Sequence, residues 1–276
     1  MKKMRVAICI RRCVLLLFLL AAALAPAGTI QVAGSLTHEY DVAPGGSYTG
    51  SIVVQNPEKD PQEVRVYQTD YLFYADGSSY YGDPGTMPRS STRWISFTPK
   101  QFTVPAGEEV TVRYTIQVPD DARLRGTYWS VIMVEPVEPG SPESSTPTAK
   151  DKVTVGIRQV FRFAVQMVTH VGSGTRQLKF TKVQVAAKDG KRQLLVDAEN
   201  TGERWLRGTL WVELYAKDGA LVGRFDGTRL RMYPGTSVRY TVDLAGVLSG
   251  TYKALIVIDC GGDDVFGANI NLVLAQ

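Results

Sequence analysis

Apolar and polar residues alternate with a period of two along almost the whole of this 276-residue chain. The segment of residues 110–116 shows the pattern clearly, because Val110, Val112, Tyr114 and Ile116 alternate with threonine and arginine. This period places successive side chains on opposite faces and is typical of half-buried β-strands. After residue 27, no stretch shows the 3.6-residue period of a helix of three or more turns. The sequence therefore predicts an all-β fold.

Turn signals divide the alternating segments into short strands. Asn56-Pro57, Asp189-Gly190 and Asp218-Gly219 lie between apolar runs, where proline presets φ and asparagine, aspartate and glycine tolerate turn geometry. The number and spacing of the strands predict two immunoglobulin-like β-sandwiches in tandem. We place the first domain at residues 28–170 and the second at residues 171–276, with the flexible Gly172-Ser173-Gly174 near the boundary.

The N-terminus has the features of a signal peptide. An apolar run of residues 14–25 follows a basic segment and is too short for a stable bilayer-spanning helix. Ala25-Pro26-Ala27 supplies a small-x-small cleavage pattern, so we expect residues 1–27 to be removed and the protein to be periplasmic or extracellular. Ordinary secretory export is favoured; twin-arginine export and an uncleaved signal anchor remain alternatives. The five basic residues are Lys2, Lys3, Arg5, Arg11 and Arg12.

Charge and cysteine content narrow the function. The chain has 31 basic and 27 acidic residues, and signal removal would leave 26 and 27, a net charge of −1. A nucleic-acid partner is therefore not expected. Cys260 would be the only cysteine left, which excludes an intrachain disulfide. No later segment is predicted to span a membrane.

Residues 138–152 are rich in proline, serine, threonine and charge and show no apolar period. They can be read as an interdomain linker or as a long flexible loop inside the first domain. We favour the loop, because the first sandwich would otherwise have about six strands where about seven are usual. Residues 153–166 would then form its last strand.

One face of this last strand is apolar. On a strand, alternate side chains share a face, so the arginines lie opposite the apolar group. We interpret the apolar face as a surface for the domain's own core or for a partner strand. Its residues are Val153, Val155, Ile157, Phe161 and Phe163, with Val165, and the opposite face carries Arg158 and Arg162.

Residues for enzymatic chemistry are sparse, so we expect no catalytic residues, metal ion or cofactor. The two histidines, His38 and His170, are expected to be polar residues at strand ends. The acidic run 259–264 is interpreted as a solvated hairpin loop rather than a cation site. Its carboxylates should raise the pKa of the Cys260 thiol. The four tryptophans are expected to serve the core.

Several motifs together carry a family resemblance. Val104-Pro105-Ala106-Gly107 leads into the strand of residues 110–116, Val118-Pro119-Asp120-Asp121 forms a turn, and Tyr128-Trp129-Ser130-Val131 begins a strand that ends near Pro136. This order resembles the amino-terminal domain of PapD-like periplasmic pilus-assembly chaperones. The resemblance covers roughly residues 48–166 and the two-sandwich layout.

The resemblance implies a non-enzymatic chaperone that completes a secreted, pilin-like subunit by donating a strand. Val153, Val155, Ile157, Phe161 and Phe163 would belong to that donor strand. The family also anchors the subunit's terminal carboxylate with an arginine and a lysine, a role for which Arg158 or Arg162 are the candidates here. The first strand, around residues 36–40, contains no arginine.

A weaker similarity connects the same segment with the Ig-like domains of WxL-associated cell-surface proteins. That similarity implies binding to peptidoglycan or glycan, and so a cell-wall component as the alternative partner. Members of that group usually carry a C-terminal membrane span, and no such span is predicted from this sequence.

Overall fold

A computed structural model of the protein describes residues 30–137, 141–144, 161–188 and 190–275. The predicted signal peptide and most of the predicted loop at residues 138–152 lie outside this part of the chain. Within the described ranges, no helix is long and apolar enough to cross a membrane.

Seventeen strands and a single 3-10 turn, Thr92–Trp94, make up the described secondary structure, which confirms the predicted all-β class. In chain order the strands are β1 Gln31–Ala33, β2 Thr37–Asp41, β3 Ser47–Gln55, β4 Gln62–Phe73, β5 Ser79–Gly82, β6 Ile95–Thr98, β7 Gln101–Val104, β8 Glu109–Gln117, β9 Gly126–Pro136, β10 Phe163–Val171, β11 Leu178–Lys188, β12 Lys191–Asn200, β13 Leu206–Tyr215, β14 Leu221–Met232, β15 Ser237–Asp243, β16 Gly250–Asp259 and β17 Val265–Leu274.

The first sandwich contains β1 to β10 in two facing sheets. One sheet has the order β1-β3-β8-β6, and the other has the order β2-β10-β9-β4-β5, with β7 also paired to β4. The long strand β4 serves two neighbours on one edge, pairing with β7 through Gln62–Arg65 and with β5 through Asp70–Phe73. The last strand of this sandwich, β10, lies between β9 and β2.

Alternate residues of the two sheets meet in one apolar core. Val54 and Val112 come from the first sheet, Val66 and Ile132 come from the second, and all four are buried. Each such side chain contributes roughly 1.5–3 kcal/mol by leaving water. In β3 and β8 the intervening residues are exposed or half-buried, as the period of two predicts.

The second sandwich contains β11 to β17. Its strands follow the order β11-β12-β15-β14-β13-β16-β17, in which β14 and β15 pair at the single position Gly227–Val242. Leu194 and Tyr240 on one side of this narrow connection pack against Val212 and Ile256 on the other. Two Ig-like β-sandwiches in tandem are thus confirmed.

Two strand limits differ from the sequence predictions. Residues 75–92 are rich in glycine, proline, serine and threonine, which is typical of a loop, but they contain β5, a short and mostly exposed strand without an apolar face. The predicted strand of residues 153–166 continues to Val171, because its later residues pair with β2 and pack against the second sandwich. Residues 153–160 lie outside the described ranges.

The two sandwiches touch closely where β9 begins. Gly126 donates its N–H to Ser173 O at 2.7 Å, and Thr127 donates its N–H to Glu203 O at 2.8 Å. Gly126 has a φ of +86°, and a side-chain carbon there would lie 2.2 Å from Glu203 O. Glycine is required at this position both by the backbone conformation and by the close approach of the second sandwich.

Candidate functional site

Strand β10 has one edge that is only partly covered. Over its whole length it pairs antiparallel with β9, from Phe163–Val134 to Val171–Gly126. On the other edge, the parallel strand β2 covers only Gln166–His170. Among the described residues, nothing pairs with this edge before Gln166.

The exposed backbone groups of this edge can be assigned from the pairing. Gln166 donates its N–H to Leu36 O at 2.8 Å, so its main-chain polar groups point toward β2. Backbone N–H and C=O groups alternate in direction along a strand, so those of Ala164 point to the same edge. Because the pairing with β2 begins only at Gln166, the N–H and the C=O of Ala164 are left as one donor and one acceptor for another strand.

Side chains on β10 divide between two environments. Val165 and Met167 are fully buried in the core of the first sandwich, and Phe163 packs against it. Val168 and His170 face the other way and lie against the second sandwich. Strand β10 is therefore anchored on both faces along its second half.

Of the five residues predicted for a partner-binding strand, the structure describes two. Phe163 is half-buried within β10, whereas Phe161 precedes the strand and is 41% exposed. Phe161 and Phe163 are two residues apart and so share one face of the strand. This apolar face is more exposed toward the end of β10 that β2 does not cover. Val153, Val155 and Ile157 lie outside the described residues.

Arg162, one of the two residues predicted to anchor a carboxylate, is engaged within the chain itself. Its Nε lies 2.9 Å from Glu135 Oε2, and Arg65 Nη2 lies 2.5 Å from Glu135 Oε1. The hydroxyl of Tyr67 donates to the same carboxylate at 3.0 Å. Arg162 thus ties the start of β10 to β9, while Arg158 lies outside the described ranges.

The junction beside β10 is built from aromatic rings. Trp129, Val168 and Tyr233 form a buried cluster, against which Phe73 and Trp205 pack. The Tyr233 hydroxyl donates a short hydrogen bond to Gln166 Oε1. Burial raises the pKa of Tyr233 to about 12, so the hydroxyl remains a donor at neutral pH.

His170 occupies this junction rather than a catalytic arrangement. It is 2% exposed, with Nε2 2.9 Å from Glu39 Oε1 and Nδ1 2.9 Å from Thr127 Oγ1. Burial lowers the pKa of the imidazole, and the bond to Glu39 opposes that effect in part. His38 lies in β2, where its Nδ1 is 2.6 Å from the Tyr114 hydroxyl. Both histidines lie near strand ends, as predicted.

Cys260 and its acidic neighbours belong to the hairpin between β16 and β17. Burial raises the pKa of the thiol from 9.0 to about 11, and the carboxylates of Asp264 and Asp259 add to the effect. The predicted direction is confirmed, although burial is the larger cause. Asp259 accepts the N–H of Gly261 at 2.8 Å, and Asp264 pairs with Arg176 at 3.3 Å.

The sequence does not predict a role for Ala164 or Gln166, since its candidate binding residues are apolar and basic side chains. Their contribution is the direction of their backbone groups, which no side-chain pattern reports. The register of a parallel neighbour, β2, decides where the uncovered edge begins. That register follows from contacts between residues more than 120 positions apart.

Fimbrial chaperones are among the solved structures that resemble this chain, in agreement with the predicted resemblance. A chain of the chaperone–tip adhesin complex of CFA/I fimbriae is 15% identical, covers 90% of this chain and 100% of its own length, and has a TM-score of 0.47. The class 5 fimbrial chaperone CfaA is 14% identical, with the same coverage and a TM-score of 0.43. The Escherichia coli chaperone DraB is 13% identical, covers 90% of this chain and 97% of its own, and has a TM-score of 0.39.

No protein-family model matches the chain, and no curated protein matches it. At the identities and TM-scores of the solved structures, a likeness carries no argument about function. The functional argument therefore rests on the geometry of β10 and its surroundings.

Proposed function

We propose that this chain is an exported, non-enzymatic, chaperone-like protein that binds a secreted, pilus-type subunit by β-strand donation. The observation that carries the proposal is the uncovered edge of β10 before Gln166, where β2 ends. A strand edge with free N–H and C=O groups is the surface that another chain extends in β-augmentation. The partner would add its strand beside Ala164.

Side chains beside this edge suit an apolar protein partner. Phe161 is 41% exposed and Phe163 half-buried, so both retain surface that a partner lacking one strand could cover. Burying one aromatic side chain in this way is worth roughly 1.5–3 kcal/mol. In the proposal, Val153, Val155 and Ile157 continue the same apolar face upstream.

The second half of β10 is held rigidly by the rest of the chain, which favours pairing of its first half with a partner. Val165 and Met167 are fixed in one core, while Val168 and His170 are fixed at the junction. A strand held rigidly over part of its length loses less conformational freedom when its free part pairs with a partner. Arg162 and Glu135 extend this support to the residue before β10.

The N-terminal sequence supports the exported location in this proposal. The basic segment, the apolar run of residues 14–25 and Ala25-Pro26-Ala27 predict a cleaved signal peptide and a periplasmic or extracellular location. A strand-deficient subunit would be exposed to aggregation in that compartment, because open strand edges pair without selectivity. Covering the gap with β10 would prevent it.

The backbone geometry allows a sharp test. In Ala164→Pro, the N–H that faces the open edge is removed, while the bonds between β10 and β9 do not use it. The variant should fold but lose the partner's hydrogen bond and place a ring in the partner's path. Ala164→Val retains the N–H and is the matched control.

Secreted proteins from neighbouring genes would each be co-expressed with the tagged chain and tested for co-purification. We expect one of them to co-purify with wild type and Ala164→Val, and to be lost with Ala164→Pro and Phe161→Asp. A partner retained by both disruptive variants would overturn strand donation. Sedimentation with purified sacculi, unchanged by either variant, would favour the cell-wall alternative.

A further inference from the structure

A cleft between the two sandwiches concentrates positive charge. Its volume is about 310 Å³, and three arginines of the second sandwich line it: Arg207 from β13, and Arg229 and Arg231 from β14. The first sandwich contributes Tyr71, Phe73 and Gln166 to the opposite wall. This cleft is separate from the uncovered edge at Ala164, although Gln166 adjoins both.

Strand pairing places the three guanidinium groups on one face of the sheet. Arg207 lies directly opposite Arg231, and Thr209 lies directly opposite Arg229. Residues two apart on a strand share a face, so all three side chains project from the same side. Like charges directly opposed across two strands destabilise a sheet.

Among the described residues, no carboxylate forms an ion pair with any of the three cleft arginines. Across β13, Asp259 lies opposite Thr209, and its carboxylate accepts the N–H of Gly261. By contrast, Arg239, also in the second sandwich, is held by Asp197 at 2.6 Å. The positive charge of Arg207, Arg229 and Arg231 is therefore left without a paired carboxylate in the cleft, unlike that of Arg239.

Arg231 is held in place by uncharged partners. Its Nη1 donates to Thr37 Oγ1 at 3.0 Å, and its guanidinium carbon lies 4.3 Å from the centroid of the Trp205 ring. Its Nε is buried and has no hydrogen-bond partner. A buried donor without an acceptor is unfavourable, so the guanidinium of Arg231 keeps unused capacity to donate hydrogen bonds.

From these observations we propose that the cleft binds a doubly charged tetrahedral oxyanion, a phosphate or sulfate group. Three guanidinium groups around one small volume exceed what a single carboxylate can neutralise, whereas phosphate carries a charge of about −1.5 to −2. The planar fork of arginine donates paired hydrogen bonds to such oxygens. Because Gln166 accepts from Tyr233 through Oε1, its amide N–H groups remain as further donors.

Binding can be measured by calorimetry with the full mature chain, using sodium phosphate and sodium sulfate as probes against sodium acetate and chloride at equal ionic strength. We expect the two divalent anions to bind and to raise Tm by roughly 2–5 °C near saturation. Arg207→Gln and Arg229→Gln should each weaken phosphate binding by about tenfold or more. Glucose 6-phosphate distinguishes a phosphate ester from the free ion as the natural ligand. Tighter binding of glucose 6-phosphate than of phosphate indicates an ester, and weaker binding indicates the free ion.

Folding of the variants can be checked independently, since Arg207 and Arg229 are exposed. Arg207→Gln removes one member of the opposed Arg207–Arg231 pair, so it should leave Tm without phosphate unchanged or slightly raised while reducing the phosphate-dependent rise. Arg113→Gln, at an exposed arginine of β8 in the first sandwich, is the matched control. Phosphate binding no stronger than acetate binding, or equal in Arg207→Gln and Arg113→Gln, would overturn the proposal.

Discussion

Trp129 of β9 and Tyr233, which follows β14, stack ring on ring across the junction of the two sandwiches. Their centroids lie 4.8 Å apart and their planes differ by 14°. Trp129 also donates its Nε1–H to Tyr71 O at 2.7 Å, which fixes the orientation of the indole. Because both rings are buried and each belongs to a different sandwich, this pair couples the orientation of one sandwich to that of the other.

Replacing Tyr233 should therefore destabilise the chain strongly. Tyr233→Ala removes a fully buried aromatic side chain and its stacking, which we expect to cost about 3–5 kcal/mol in free energy of unfolding. Tyr233→Phe removes only the hydroxyl that donates to Gln166 and should cost about 1 kcal/mol. Urea unfolding followed by tryptophan fluorescence measures both. Equal losses in the two variants would show that the stacked ring contributes little.

His170 should make stability depend on pH. Its pKa is lowered in the folded chain, chiefly by burial, so the unfolded chain binds the proton more tightly. The free energy of unfolding should be at its full value above the ordinary histidine pKa of about 6.5 and should fall as the pH drops below it. Glu39 and Asp41 raise the pKa and Arg204 lowers it, and none of them reverses the direction.

The His170 prediction is tested by urea unfolding at pH 7.5 and pH 5. In His170→Asn the loss of stability between these two pH values should be smaller than in wild type. The pKa of His38 is also lowered by burial, so His38→Asn serves as the comparison that retains the His170 contribution. An unchanged pH dependence in His170→Asn would contradict the assignment.

The alternation of apolar and polar residues was sufficient to predict the long strands. A strand with one buried face carries this pattern in its own sequence, whatever its neighbours are. Thus β8, Glu109–Gln117, lies where the alternation of residues 110–116 predicts a strand. Short edge strands escaped prediction: β5 has four residues, of which three are exposed, so burial leaves no periodic trace in its sequence.

Both proposed surfaces depend on strand pairing, which sequence patterns do not contain. The opposition of Arg207 and Arg231 depends on a register that shifts at a bulge between Thr209 and Trp211. Likewise, the contact of Arg162 with Glu135 depends on the register of β10 against β9. Sequence analysis could identify Arg162 as a basic residue beside an apolar face, but not the carboxylate that holds it.

Glu135 should stabilise the start of β10. It is largely buried and binds Arg65, Tyr67 and Arg162, so Glu135→Gln would leave two arginines without their counter-charge. We expect a loss of about 1–3 kcal/mol and faster amide exchange at Val165, which pairs with β9. Exchange is measured by NMR, with Glu109→Gln, an exposed carboxylate that binds Gln55, as control. Equal exchange at Val165 in both variants would argue against this tether.

Cys260 should react slowly with alkylating reagents. Burial and the neighbouring Asp264 and Asp259 raise the pKa of its thiol from 9.0 to about 11, and only the thiolate reacts. At pH 8 this lowers the thiolate fraction roughly a hundredfold, so alkylation by iodoacetamide should be slower than in the urea-unfolded chain by about that factor. The rate should increase about tenfold per pH unit beyond pH 9. Asp264→Asn should accelerate it, whereas Asp218→Asn, in a distant turn, should not; a plateau near pH 9 in the folded chain would contradict the raised pKa.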